Sequence, residues 1–259
     1  MHGDREAQRT PCDIRKSILM SEEENTGMKG PEEPRLPNRD KILNVLRTRS
    51  SMKQDVYRRT ISTFELLKEL LQEIAVDLEK EIIQHDKRIT VGFVDKGGAS
   101  CELKVAGDVI IFHMHTNVFR LDQSHWLWKS DYLQEDDLRG FFGLVNMYNF
   151  LSDSFKYNRD RDLGYMVARL FLNKEGHFFV QGKRQLDRLY RDLPGNELDR
   201  EKLKELLYAV IEYVLEFDLL APPYDQVNQV TVGEMYELNA PQLSTGKRLG
   251  FRSQAQIDR

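Results

Sequence analysis

The sequence contains little cysteine, no long apolar run and no excess of basic charge, and each absence argues against a class of protein. Only two cysteines, Cys12 and Cys101, occur in 259 residues. A disulfide framework is therefore not indicated, and the composition fits a reducing compartment. The formal net charge of -4 leaves no surplus of Lys and Arg to neutralise a phosphate backbone, so we expect no nucleic-acid partner.

Apolar segments are too short for a membrane-spanning helix, which requires roughly 18 to 20 apolar residues. The first residues also lack the apolar core of a signal peptide. We therefore expect a cytoplasmic protein without a membrane partner. Met20 is an alternative start of the chain, because a conventional polar tail begins at Ser21.

Apolar residues concentrate in one part of the chain, which predicts a single folded domain with two tails. Residues 1–53 are polar, charged and interrupted by prolines, so we predict disorder there apart from a short helix at Asp40–Thr48. Residues 54–232 form the predicted α+β domain. Residues 233–259 are predicted to be a C-terminal tail.

Three segments have apolar residues at helical spacing. Val56–His85 has one apolar stripe opposite a charged side, and the segment from Asn196 to Phe217 has another, with Asn196 as a plausible N-cap. The third segment is Phe141–Phe155, where apolar residues also recur at helical intervals. We predict helices at all three places.

Five segments have the features of strands, three before the predicted middle helix and two after it. Alternation, turn residues and short apolar runs mark them: Ile89–Phe93, Cys101–Val105, Val109–Met114, Met166–Leu172 and His177–Val180. The predicted fold is α+β: an antiparallel five-stranded sheet with packed helices, in the order helix, three strands, helix, two strands, helix.

This order of elements resembles the YbjN-like family, which shares the fold of the type III secretion chaperones. The local similarity lies in three motifs: Asn146-Met147-Tyr148-Asn149, Tyr157-Asn158-Arg159 and Asn173-Lys174-Glu175-Gly176-His177. It covers roughly Thr63 to Phe217, and the segment Thr116–Gly140 and both tails depart from the family pattern. The resemblance implies a bacterial-type, non-enzymatic binding role with no catalytic residue to carry over.

The segment Thr116–Gly140 is longer than most connections within a domain and contains Trp126, Trp128 and Tyr132. One interpretation is that these aromatic residues cover an edge or end of the sheet. The other is that they form a surface that binds a partner, because exposed aromatic side chains anchor interfaces. They are therefore the candidate binding residues.

The strongest signal for chemistry is the pair His113 and His115, which lie two positions apart and face the same way if they share a strand. His177 is a third candidate ligand of a metal site, although no Asp, Glu or Cys lies nearby at a ligand spacing. Cys101 lies on an apolar strand face, which favours a small core residue over a nucleophile.

Two functions from different classes follow. The first is a non-enzymatic protein-binding or chaperone-like module that binds another protein or a second copy of itself, without a cofactor. The alternative is a metal-dependent hydrolase that uses His113 and His115. The sequence favours the first, because binding through an apolar surface needs no convergent polar site.

Overall fold

The computed structural model describes residues 38–160, 162–183, 186, 190–221, 223–239 and 252–253. The chain divides into two compact units, Met1–Asn44 and Val45–Arg259. Most of the predicted N-terminal tail lies outside the described residues. From Arg39 onward the chain is helical, first as α1, Arg39–Val45, and then as a π-helical stretch, Leu46–Ser50.

Two long helices belong to the second unit. The first is α2, Ser51–His85, which includes the predicted helix at Val56–His85 and confirms it. The short helices α3, Asp131–Glu135, and α4, Ser152–Lys156, come next along the chain. The second long helix is α5, Arg200–Leu215, whose cap is Asp199 rather than the predicted Asn196, because the Asp199 side chain accepts from the Lys202 amide. Two short helices follow, α6, Tyr224–Val227, and α7, Val232–Asn239.

One open antiparallel sheet of seven strands forms the centre of the second unit. Its strands pair in the order β1-β2-β3-β5-β6-β7, and β4 pairs with β5 beside β3. Their bounds are β1 Val91–Asp95, β2 Ser100–Val105, β3 Asp108–Met114, β4 Phe119–Arg120, β5 Phe141–Leu151, β6 Tyr165–Asn173 and β7 Phe178–Gly182. A separate two-stranded pair joins β8, Leu219–Leu220, to β9, Arg252–Ser253.

The predicted five-stranded sheet is wrong, and the error lies mainly in one segment. Phe141–Leu151, predicted to be a helix, is the eleven-residue strand β5. It pairs with β3 on one side and β6 on the other, so it joins the predicted group of three strands to the predicted pair. Both faces of β5 are largely buried, and the alternation of polar and apolar residues that marks a half-exposed strand is therefore weak.

The main core lies between one face of the sheet and the two long helices. Side chains from α2 and α5 pack there against alternate residues of the strands, and the largest fully buried ones include Phe64, Leu67, Leu103, Ile110, Phe112 and Phe178. The contact between α2 and β5 is so close at Gly143 that a Cβ there would lie 1.8 Å from Thr60 Oγ1. Glycine therefore sets the distance between the helix and the strand.

The opposite face of the sheet is covered over only part of its area. Residues 116–140, which we call the cover segment, pack over the half that contains the ends of β5, β6 and β7. The buried cluster on this side consists of Leu127, Leu133, Phe142, Leu144, Phe171, Phe179 and Leu193. Among the described helices, none combines the length and apolar character needed to cross a bilayer.

Candidate functional site: the uncovered part of the sheet

Five polar side chains form a row across the sheet, on the face opposite to α2 and α5. Ser100 on β2 pairs in register with His113 on β3, and His113 pairs with Asn146 on β5. Asn146 pairs in turn with Arg169 on β6, and Arg169 pairs with Gln181 on β7. Directly opposed residues of antiparallel strands point to the same face, so these side chains are neighbours. We call them the transverse polar row.

Asn146 is the central member of this row and is not satisfied within the described protein. Its side chain is only 7% exposed, and its Oδ1 is buried without a hydrogen-bond partner. A buried acceptor without a donor costs about 1–3 kcal/mol, which most folded proteins avoid. Asn146 therefore holds a buried acceptor, and an N–H or O–H group from outside the sheet reaches it only when the neighbouring side chains move aside.

Arg169 places a cationic group beside Asn146. Its Nη2 donates to Gln181 Oε1 over 2.7 Å, and its guanidinium carbon lies 5.5 Å from the centre of the Phe171 ring. No carboxylate pairs with Arg169 within the described part of the chain. Because a guanidinium has five N–H donors, most of the donors of Arg169 are left for an acceptor from outside.

The next residues on the same face are mainly apolar. Ile111 pairs with Tyr148, and Tyr148 pairs with Met166, whose side chain is 40% exposed. Further along the strands, Val109 pairs with Phe150. These residues and the transverse polar row together make up the part of this face that lies outside the cover segment, which we call the open face; Val109 and Asn146 are themselves buried within it.

Charge on the open face is positive. Lys104 on β2 is exposed and lies on this face, as does Arg169. The acidic residue Glu102 also lies here, but it is paired with Lys96 at 3.0 Å. The charges of Glu102 and Lys96 cancel, so Lys104 and Arg169 leave the open face with a net charge of +2.

A bulge determines which β6 side chains reach the open face. The pairing of β5 with β6 shifts between Met147 and Tyr148, so that Val167 has no partner residue on β5. Val167 and Ala168 are both buried in the main core as a result. An extra residue of this kind turns the following side chains to the other face, and here it places Met166 opposite Tyr148.

The three candidate aromatic residues lie near one another but in different environments. Trp126 is 49% exposed, whereas Trp128 and Tyr132 are partly buried against the cluster beneath the cover segment. Trp128 Nε1 donates to the Asp122 carbonyl over 2.9 Å, and a Cβ on Gly140 would lie 2.3 Å from the Trp128 ring. Trp128 and Tyr132 therefore have contacts that hold the cover segment, and Trp126 remains the one candidate with a largely exposed ring.

Tyr132 belongs to a polar network that ties the cover segment to the turn between β6 and β7. Its hydroxyl donates to Glu175 Oε2 over 2.7 Å and accepts from Asn173 Nδ2 over 2.9 Å. Arg139 Nε donates to Glu175 Oε1 over 2.9 Å, and Lys174 pairs with Asp136. Burial opposes the charged carboxylate, but these hydrogen bonds outweigh it and lower the pKa of Glu175.

The histidines proposed as metal ligands do not converge. His113 is exposed on the open face, and His115 lies beyond the end of β3, where its Nδ1 accepts from the Asn117 amide. His177 precedes β7, three strand spacings from β3, which is on the order of 14 Å. Among the described residues, no three His, Cys, Asp or Glu side chains could hold a metal ion.

Cys101 is in the main core and is fully buried. Burial raises the pKa of its thiol to about 12, so the thiolate needed for nucleophilic attack is scarce at neutral pH. Cys101 is therefore a packing residue.

Comparison with known proteins gives no match among family models, curated proteins or solved structures. The similarity to the YbjN-like family therefore stays a prediction.

Sequence reasoning missed the transverse polar row. Its members are far apart in the chain, and only the register of five strands brings them together. A signal was nevertheless present, because Arg169 is a single charged residue inside an apolar strand. The sequence pattern predicts a helix at Asn146, and a residue of that helix would not share a strand face with Arg169.

Proposed function

We propose that this protein is a non-enzymatic protein-binding module and that it binds through the open face. One observation carries the proposal. Asn146 places a buried, unpartnered acceptor next to the unneutralised guanidinium of Arg169, and both lie near the half-buried Tyr148 and the exposed Met166. A binding surface commonly combines these features, since apolar contacts supply buried area and a few polar groups fix the orientation.

The candidate surface at Trp126 is a second, smaller part of this proposal. Its exposed indole suits an interface anchor, although Trp128 and Tyr132 are engaged within the protein. No observation on the described residues favours the metal-dependent hydrolase, because His177 lies three strand spacings from His113 and no three ligand side chains come together there.

Site-specific photocrosslinking in the native cell tests the proposal. The photoreactive residue benzoylphenylalanine replaces Tyr148 on the open face, Trp126 on the cover segment, or Tyr208 on α5 as the control. Tyr208 is 38% exposed but lies on a helix that covers the other face of the sheet. We expect the variant at position 148 to crosslink to a discrete polypeptide and the control to give none.

Three outcomes are informative. A discrete crosslinked product from position 148 alone supports the open face as the binding surface. A product from position 126 alone moves the binding surface to the cover segment. The absence of any product from either position, while the protein is folded and expressed, overturns the proposed function.

A further inference from the structure

We propose that the open face binds the C-terminal segment, residues 223–239, of a second copy of this chain. This inference rests on the proposed function, because it names the occupant of the same surface. The occupant has to meet three chemical requirements. It must give an anionic acceptor to Arg169 and apolar area to Tyr148 and Met166, and it must give an N–H or O–H donor to Asn146 Oδ1 once the neighbouring side chains move aside.

The C-terminal segment exposes large side chains to an unusual degree. Tyr224 is 77% exposed, Val232 is 68% exposed and Tyr236 is 73% exposed. They lie on the short helices α6 and α7, neither of which has a buried side chain in its described part. Tyrosine combines an apolar ring with a hydroxyl donor, so it meets the first and third requirements with one side chain.

Charge meets the remaining requirement. Between residues 223 and 239 the sequence has Asp225, Glu234 and Glu237 and no Lys or Arg, which gives a net charge of -3. The open face carries +2 by the count of its own side chains and their partners. Surfaces of opposite charge attract and orient each other, and this favours the segment over a basic or neutral partner.

A two-fold dimer follows from this arrangement. Each copy has one open face and one C-terminal segment, so a reciprocal exchange satisfies both faces and leaves neither segment exposed. An exchange of this kind closes at two copies, and the expected species is a dimer.

Charge reversal on each side of the contact provides the test, with dimer dissociation measured by analytical ultracentrifugation of the full chain. The face variant is Lys104→Glu with Arg169→Glu, and the segment variant is Asp225→Lys with Glu237→Lys. Glu234 is left unchanged because its carboxylate accepts from the Thr231 amide and hydroxyl at the start of α7. The control is Lys80→Glu with Lys204→Glu, on the helices that cover the opposite face.

We expect each reversal alone to weaken dimerisation at least about tenfold, since like charges then face each other across the contact. The combination of both reversals restores opposite charges and should bring the dissociation constant back toward that of the unchanged protein. The control should leave dimerisation unchanged. Circular dichroism spectra verify that each variant is folded.

Several results would overturn this inference. The unchanged protein could be monomeric throughout the micromolar range, or a dimer could be insensitive to both reversals. The combined variant could also be weaker than either reversal alone. If the Tyr148 crosslinker captures a different protein and the chain is monomeric, the proposed function stands and only the identity of the occupant is wrong.

Discussion

Asn146 is unfavourable for folding, and the proposed function gives it a use in binding. Its buried Oδ1 lacks a partner, so an apolar side chain of similar size removes a cost from the folded state. We predict that Asn146→Leu leaves stability unchanged or raises it by about 1 kcal/mol, while it weakens binding at the open face. Urea unfolding gives the free energy, and the position 148 crosslinking yield gives the binding.

Asn173 provides the matched control for this substitution. It is fully buried and, unlike Asn146, it is bonded: its Nδ2 donates to Tyr132 and its Oδ1 accepts from the amides of Glu175 and His177. Asn173→Leu should therefore lower the free energy of unfolding by about 2–4 kcal/mol, because several donors lose their acceptor. A comparable loss in Asn146→Leu would mean that the Asn146 amide has a structural role.

Gly143 is important because it lacks a side chain where β5 packs against α2. We predict that Gly143→Ala destabilises the protein by about 1–3 kcal/mol, since the added methyl group meets Thr60 on α2. Adding Thr60→Ala should recover only part of the loss, because the Thr60 Cβ would still be 2.8 Å away. Chemical denaturation of the three proteins measures these differences.

Gly92→Ala is the control for crowding, as both glycines are in strands of the same sheet. Nothing lies within 4 Å of a Cβ at Gly92, and the substitution should be close to neutral. Equal destabilisation at both positions would show that strand flexibility, and not contact with α2, explains the effect.

At the scale of elements, strong periodicity was sufficient for prediction and weak periodicity was not. The stripe of α2 and the turn residues before β2 were readable in the sequence, and Asp95 does accept from the Gly97 amide in that turn. The segment that became β5 has apolar residues at positions compatible with both periods. This segment is a strand because it pairs with β3 and β6 and is buried on both faces. These are tertiary effects that local sequence does not show.

The site was less predictable than the fold for the same reason. For Trp128 and Tyr132, the interpretation that the aromatic residues cover the sheet agrees with the structure, because both pack against a buried cluster. The transverse polar row depends on strand register, and register is fixed by the long-range packing of the sheet. The local sequence around Asn146 or Arg169 does not reveal this register.

The cover segment should loosen in acid. The folded protein lowers the pKa of Glu175 below its ordinary 4.5, so the unfolded chain binds this proton more tightly. The stabilising contribution is complete above the unfolded pKa and is lost as the pH falls through the folded pKa. We predict that Glu175→Gln is less stable than the unchanged protein at pH 7 and that the difference narrows below about pH 4.5.

Urea midpoints measured from pH 7 to about pH 3 test this prediction, with Glu79→Gln on the exposed side of α2 as the control. The control removes one carboxylate outside the network and should show no difference at any of these pH values. A Glu175→Gln difference that stays constant with pH would assign the effect to shape or packing and not to the carboxylate charge.

At the scale of the whole molecule, the two faces of the sheet differ in how they are covered. One face is buried by α2 and α5 and contains most of the core. The other is closed at one end by the cover segment and open at the other, where the transverse polar row marks the border. Stability is thus concentrated on one side, and substitutions on the open face that alter the proposed binding should leave the fold intact.

The packing of α2 against β5 also predicts where the stable folded unit begins. Met52 and Val56, in the first turns of α2, are buried against Phe141 at the start of β5. A chain that begins at Ser51 keeps this contact, whereas a chain that begins at Tyr57 loses both side chains. We predict that the longer chain is more stable than the shorter one by about 3 kcal/mol, measured by urea unfolding.

The double substitution Met52→Ala with Val56→Ala in the full chain should reproduce most of that loss, because the buried side chains and not the extra helical turns are responsible. A full-length double variant as stable as the unchanged protein would place the start of the stable unit after Val56.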